Sequence, residues 1–548
     1  MSTRPETRDR KQETAREGPT VHEVYVMSRE EAIGYIVRRI IAGERDLDRV
    51  KREECRRFSI ASMIKNPEIL AAIPPERLTE EVRRLLLKKP VKTGSGVTPV
   101  AVMIRPQGSC RYRCIYCPSA GLAAKSYTGF EPAALRARQS SFDPYIQASG
   151  RVKTLEEAGH PTDKCEVIVM GGTFLEMPPD YKSSFIKGVY DGLNGSVSDS
   201  LADAITRNES VSTHRVVGLT IETRPDVCIP HIDEMLSYGA TRVELGVQHA
   251  DDAIYRLIER GHTVKDVTDS TKALKDSAFK VLYHVMPGLL GSSPDRDIAF
   301  IKRLFEDPAF RPDMLKIYPT LVLEGTGLHK MMARGDYSPY SSEEAADVIS
   351  ESFRHIPPYV RVMRIQRDIP AGKIERGVKK SNLRELVDEK MEENGIVPME
   401  IRSREAGLAG PGKRDRPEFS LKSLSYDASG GQERFLSFED DGLLAGFLRL
   451  RFPALDPQPP VSGSRAEIDA DTALVRELHI YGSEAPMSAE GDVQHRGFGS
   501  RLLEEAEAMA SDAGKGKMVV ISGVGVREYY HKRGYSREGP YMAKKIRR

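Results

Sequence analysis

The 548-residue sequence contains no uninterrupted apolar run of about 18 residues or more, which excludes a membrane-spanning helix. It has only six cysteines, too few to staple so long a chain. A reducing cytoplasm is therefore expected, with metal or redox chemistry for any thiols that cluster. Charge of one sign is also lacking: 82 Lys and Arg against 80 Asp and Glu leave a net +2. Any nucleic-acid binding must come from local patches, not a global field. Internal repeats and low-complexity tracts are missing, which excludes solenoids and propellers. The opening MSTRPETRDRKQETAREG has no apolar stretch for a secretory signal, and residues 1–22 read as a disordered tail.

Length alone predicts roughly three to four domains at about 150 residues each. Residues 23–92 place apolar side chains at helical spacing among many arginines and predict a basic helical region. KTGSGVTP breaks that pattern. From there to residue 370 strands and helices alternate, with strands expected at 100–106, 165–172, 214–223, 240–248, 278–288 and 313–319. Their near-continuous apolar character predicts an α/β fold in which a parallel sheet is covered by helices, a full or partial (β/α) barrel. Chemistry in such a fold sits on loops at the strands' C-terminal ends. Residues 371–415 read as a connector. From 416 to 548 antiparallel strands surround one amphipathic helix, SRLLEEAEAMASDAG, an α+β pattern.

GSCRYRCIYCPSAG, residues 108–121, carries Cys110, Cys114 and Cys117 at C-x3-C-x2-C spacing, directly after the first barrel strand. Thiolates suit zinc or iron–sulfur clusters. Structural zinc takes four protein ligands, and the nearest downstream histidine is His160. A [4Fe–4S] cluster on three thiolates keeps one iron open for a small molecule. Zinc with a distant ligand and three unliganded thiols are the competing readings. The other cysteines, Cys55, Cys165 and Cys228, read as inert buried thiols.

This motif at this place resembles the radical S-adenosylmethionine (SAM) enzymes. The resemblance implies that Cys110, Cys114 and Cys117 hold the cluster and that SAM binds its open iron, giving a 5′-deoxyadenosyl radical on reduction. It also gives roles to other strand ends. Gly171, Gly172 and Thr173 are similar to the family's Gly-Gly-Glu motif, with Thr in place of Glu, so the contact to SAM is mainly backbone. Glu222 of ETRPD and Gln248 of ELGVQ resemble ribose or methionine contacts.

QHRGFG, Gln494, His495, Arg496, Gly497, Phe498 and Gly499, sits between a strand and a helix. Its glycines allow close backbone approach, and the helix start offers unpaired N–H groups to phosphate. No G-x-G-x-x-G accompanies it, which argues against a dinucleotide site. The order of elements resembles a GNAT acetyltransferase. That likeness implies acetyl-CoA on this turn and places Tyr529 or Tyr530 of VREYYHKRGY near the thioester; core packing is the competing reading for that pair.

A radical SAM partial barrel joined to a GNAT domain resembles the family of the Elongator catalytic subunit, from about residue 23 to the C-terminus. KSYTGFEP, RGHTV, KIYPTLVLEGTGL and ISGVGVREYYHKRGY carry the likeness too. The resemblance implies a tRNA carboxymethyluridine synthase, which takes a hydrogen from the methyl group of acetyl-CoA and joins the resulting fragment to ring carbon 5 of the wobble uridine. It implies tRNA as partner, with other Elongator subunits or a second copy of the chain. Basic clusters are the expected tRNA contacts: Arg38, Arg39, Arg45, Arg49, Lys51, Arg52, Arg56 and Arg57, then Arg354, Arg361, Arg364 and Arg367 around Tyr359, and the closing KKIRR. A solvated helix face is the competing reading of the first. Arg260, His262, Lys265, Lys316 and Tyr318 are further candidates for the cleft. Two other functions remain open: a protein lysine acetyltransferase with a structural cluster, and a scaffold that only binds tRNA.

Overall fold

The computed structural model describes residues 21–87, 96–106, 110–118, 121–406, 418–454, 465–481 and 497–546. These fall into two compact units. The smaller is the helical region, with helices Val21–Ile41, Leu47–Arg57, Asn66–Ala71 and Glu80–Leu86. Ile36, Ile40, Val50, Ile64 and Ile69 are fully buried in its own core. Asp46 caps the second helix by accepting from Arg49 N–H at 3.0 Å. Of the expected tail, residues 1–20 lie outside the described residues, and 21–22 already belong to the first helix.

The larger unit holds two seven-stranded sheets. The first runs β1 (Thr98–Met103), β2 (Lys164–Met170), β3 (Arg215–Thr223), β4 (Arg242–Gln248), β5 (Lys280–Val285), β6 (Met314–Ile317) and β7 (Arg361–Ile365). Neighbours follow chain order and every pair is parallel. Parallel neighbours need a crossover, and the intervening helices supply it. Two of these begin with capping boxes, Thr263 with Asp266 and Ser341 with Glu344, which fix where each strand loop turns into helix. Among the described residues β7 does not pair with β1, so the barrel is partial, as expected. Six strands were legible in the sequence; the seventh, RVMRI, reads there as part of a basic cluster. Arg361 pairs with Glu405 and Arg364 with Asp368, while Val362 and Ile365 are buried.

The second sheet has the order β13-β14-β12-β11-β10-β9-β8. Its strands are β8 (Ser420–Ala428), β9 (Gly431–Asp440), β10 (Leu443–Phe452), β11 (Thr472–Ile480), β12 (Lys517–Val520), β13 (Ser536–Glu538) and β14 (Tyr541–Lys545). Only β11 and β12 run parallel, joined across the helix Phe498–Asp512. Their pairing stops at Val475 and Val520, while β11 continues along β10 to Ile480. Beyond that point the two strands part. This is the α+β arrangement expected from the sequence.

Both sheets share one unit because buried charges and rings tie them. Tyr359, before β7, stacks on Tyr426 of β8 at 3.9 Å between centroids. Arg451 of β10 donates to Glu433 of β9 and to Asp276, at the end of a barrel helix. The stretch 371–415, expected as a connector, contains the helices Leu383–Glu393 and Ile401–Arg404.

Candidate functional site

The cysteines lie on the loop after β1: Cys114 is buried, and Cys110 and Cys117 are half-buried. Cys117 N–H donates to Cys114 O at 3.0 Å, a tight turn that keeps the two thiols on one loop. Burial pushes the Cys117 thiol up, with Cys114 adding to the shift. All three are free thiols. Cys55, Cys165 and Cys228 are buried, and burial pushes Cys228 up to about 12, as suits inert thiols.

The neighbouring strand ends converge on this loop. Gly171 follows β2 at φ +123°, a conformation that favours glycine, and a side chain there would strike Ile104. Its N–H donates to Glu222 Oε2 at 3.0 Å. Glu222, near the end of β3, also accepts from the Tyr127 hydroxyl at 2.8 Å. The carboxylate therefore fixes the backbone turn of Gly171 and Gly172, and open space lies in front of Gly172. Thr173 is buried beside it, at the start of the turn Phe174–Glu176. Gln248 closes β4 at φ +70°, an unusual conformation for a non-glycine residue, and its carbonyl accepts from Met286 N–H at 2.8 Å.

A charged file runs down the inside of the partial barrel. Glu244 accepts from His284 Nε2 at 2.7 Å and from Lys316 Nζ. Arg242 donates to Glu166 on β2 and stands 3.7 Å from Glu244. Oxygens of Glu222 and Glu244 and a ring nitrogen of His284 lie within 4.8 Å of one another. The Lys316 ammonium supplies the positive charge there, and holds Glu244 well below the usual carboxylate range against the effect of burial. Tyr318 meets His284 edge-on at 5.4 Å.

The file ends in a cavity of about 730 Å³ at the opposite, N-terminal ends of the strands. Lys164, Arg215, Arg242, Lys280 and Arg361 line its barrel side, each the first residue of its strand. The other side is the opening between the parting strands β11 and β12, with Gly497, Phe498, Gly499, Tyr529, Lys532 and Arg533. Cations outnumber the lining carboxylates, Glu166, Glu477 and Glu528. Gly497 starts the helix Phe498–Asp512 at φ +77°. A Cβ on Gly499 would come within 2.7 Å of the Tyr529 hydroxyl. Among the described residues that buried hydroxyl has no hydrogen-bond partner of good geometry, and the Arg533 guanidinium lies 3.5 Å from the ring centroid. Tyr530 is instead packed among Tyr529 and Tyr535 in the core. Gln494, His495 and Arg496 lie outside the described residues.

The basic clusters divide. Arg38, Arg52, Arg56 and Arg57 are exposed. Arg39 is not free for phosphate: it pairs with Glu44, Glu53 and Glu54 at 2.6–2.9 Å. Lys51 is buried on Asn66, and Arg45 and Arg49 pair with Glu81 and Glu44. Arg361 departs from the expected surface cluster: it is half-buried and pairs with Glu405 at 2.6 Å, facing the cavity. Tyr359 is committed to Tyr426. Arg364 is half-exposed and pairs with Asp368; Arg354 pairs with Glu351, and Arg367 donates to Ser126 O. Lys265 is exposed on Asp269, and His262 is buried, its charge disfavoured by burial. Within KKIRR, Lys544 pairs with Glu507, and 547–548 lie outside the described residues.

Comparison with known proteins agrees with this geometry. The radical SAM superfamily model matches residues 104–304, and the radical SAM C-terminal domain model residues 312–393. The chain is thus a radical SAM protein, a class that works with a [4Fe–4S] cluster and SAM. The ELP3 N-terminal domain model matches residues 29–94. The tRNA uridine(34) acetyltransferase of Methanocaldococcus jannaschii is 48% identical over 87% of this chain and 90% of its own length. Elongator complex protein 3 of Homo sapiens is 40% identical over 94% of this chain and 97% of its own length. The solved structure of archaeal Methanocaldococcus infernus Elp3 with an N-terminal deletion is 45% identical, covers 82% of this chain and all of that one, and superposes with a TM-score of 0.73. The chain belongs to the Elongator complex protein 3 family.

Proposed function

We propose that this chain modifies uridine 34 of tRNA, using SAM-initiated radical chemistry and acetyl-CoA to form 5-carboxymethyluridine. The observation that carries the proposal is the cationic cavity: it joins the parted strands of the acetyltransferase-like sheet to the floor of the barrel whose other end bears the cysteine loop. The relatives' name, tRNA uridine(34) acetyltransferase, supports the same substrate.

The residues present fit the cofactors. Three thiols on one loop, with no fourth cysteine near them in sequence, match a cluster with one open iron. When bound, the cluster and SAM supply a carbon-centred radical. Gly171 and Gly172, held by Glu222, present backbone to SAM, and Gln248 closes the same rim. At the other end the helix start at Gly497, Phe498 and Gly499 faces the pyrophosphate of acetyl-CoA, and Lys532 and Arg533 add positive charge. The Tyr529 hydroxyl, which lacks a partner among the described residues, donates to the thioester region. Polar side chains along the barrel orient the acyl end between the two, and burial of the file excludes bulk water. Exposed Arg38, Arg52, Arg56 and Arg57 take tRNA phosphates.

The deciding experiment supplies the anaerobically reconstituted protein with reductant, SAM, acetyl-CoA labelled in the acetyl group and tRNA bearing uridine 34. Labelled 5-carboxymethyluridine in the digested tRNA, lost in Cys114→Ala, supports the reading. Label only on protein lysines, indifferent to Cys114, overturns it in favour of a protein acetyltransferase.

A further inference from the structure

Arg260 follows the helix Asp252–Leu257 and is 7% exposed. Its Nη1 donates to Cys114 Sγ at 3.6 Å, and its Nη2 donates to the carbonyl of Gly246 on β4. The backbone is fixed too: Arg260 N–H donates to Tyr255 O at 2.9 Å, and Arg260 O accepts from Arg224 Nη2 at 2.8 Å. Gly246 makes room for the guanidinium, since a Cβ there would lie 2.7 Å from Nη2. Among the described residues no carboxylate forms an ion pair with Arg260. Arg224 beside it does have one, Asp226 at 3.0 Å. A buried cation without a counter-charge is strongly disfavoured. Of the described acidic groups, the Cys114 thiol is the one to which its guanidinium donates.

We propose that Arg260 tunes the iron–sulfur centre, donating to the Cys114 thiolate and so making reduction of the cluster easier. This rests on the radical reading of the cysteine loop. One-electron reduction by a low-potential donor adds one negative charge to the centre, and a fixed cation on a ligand sulfur stabilises that charge. Hydrogen bonds to ligand sulfurs and nearby charge are among the levers that set such potentials. Arg260 is a positioning residue, since it acts through Cys114.

The test is an anaerobic redox titration of the reconstituted full chain with dithionite, followed by the electron-spin signal of the reduced cluster, without acetyl-CoA or tRNA. Arg260→Gln is expected to load its full complement of iron and to lower the reduction equilibrium constant about tenfold, a potential about 59 mV lower for one electron. Arg260→Lys keeps the charge and is expected to fall between Gln and wild type. Unchanged potentials in both variants overturn the proposal. So does weakened SAM binding at an unchanged potential, which makes Arg260 a ligand for the SAM carboxylate. Failure of both variants to hold iron overturns it in favour of a purely structural role. A wild-type chain that holds no cluster overturns the radical reading itself, which separates the two failures.

Discussion

Arg476 and Asp313 meet in a wholly buried two-pronged pair, Nη1 to Oδ2 at 2.8 Å and Nη2 to Oδ1 at 2.6 Å. Arg476 belongs to β11, and Asp313 immediately precedes β6. The pair therefore fastens the second sheet to the floor of the barrel. Arg449 and Lys275 stand 3.7 Å from the same carboxylate. Asp313→Ala leaves buried cations short of a counter-charge and is expected to cost about 3–5 kcal/mol. Denaturant unfolding measures it, and a cost below about 1 kcal/mol would make the network dispensable.

Gly499→Ala puts a methyl group against the Tyr529 hydroxyl and is expected to weaken acetyl-CoA binding about tenfold by calorimetry. Adding Tyr529→Phe removes the oxygen and is expected to restore much of that affinity. If the double variant binds no better than the single one, the contact between the two residues is not what shapes the cavity.

Glu222→Gln replaces a carboxylate that serves both Tyr127 and Gly171 N–H with an amide offering one acceptor oxygen. SAM affinity is expected to fall about tenfold while iron loading stays intact. Equilibrium dialysis with labelled SAM checks this, and equal affinity would remove Glu222 from the SAM site.

His249 stacks on Phe300 at 4.2 Å, and burial lowers its pKa from 6.5 to about 4. Between those values the unfolded chain binds a proton that the folded chain refuses, so stability is whole above pH 6.5 and drains as pH falls to 4. His249→Phe is expected to flatten that limb by up to about one proton in unfolding experiments run across the window. An unchanged slope would assign the acid sensitivity elsewhere, His262 first.

Arg52→Ala with Arg56→Ala is expected to weaken tRNA binding across sequences and to reduce its salt slope by about 1 for each phosphate left without its arginine. Arg39→Ala is expected to act on stability of the helical unit, since it sits among three carboxylates. The reverse pattern, read by filter binding and thermal melting, would exchange their roles.

The cysteine loop, the six apolar strands and the helix after QHRGFG were legible because each signal is local: fixed thiol spacing, apolar runs, glycines before an amphipathic helix. Arg361 misled because a charged residue in sequence looks like surface. Only the folded sheet shows Glu405 beside it. Of the charged file, Glu222 and Lys316 were candidates, but Arg242, Glu244 and His284 were missed, although RVELGVQ carries a mark: Arg242 and Glu244, two apart, share one face of an otherwise apolar strand. Which face becomes a lumen depends on closure of the sheet, which no local window contains. The Tyr359–Tyr426 stack joins residues far apart in the chain and left no mark at all.

The barrel has two ends, and they carry different candidate sites. Nine-residue β3 spans about 25 Å, with cavity residues at one end and Glu222 at the other. On the proposed reading, acyl donor and radical source have separate doorways and never queue for one entrance. Either can be loaded first, spent product can leave by one door while the other stays occupied, and initial-rate patterns should be those of random addition.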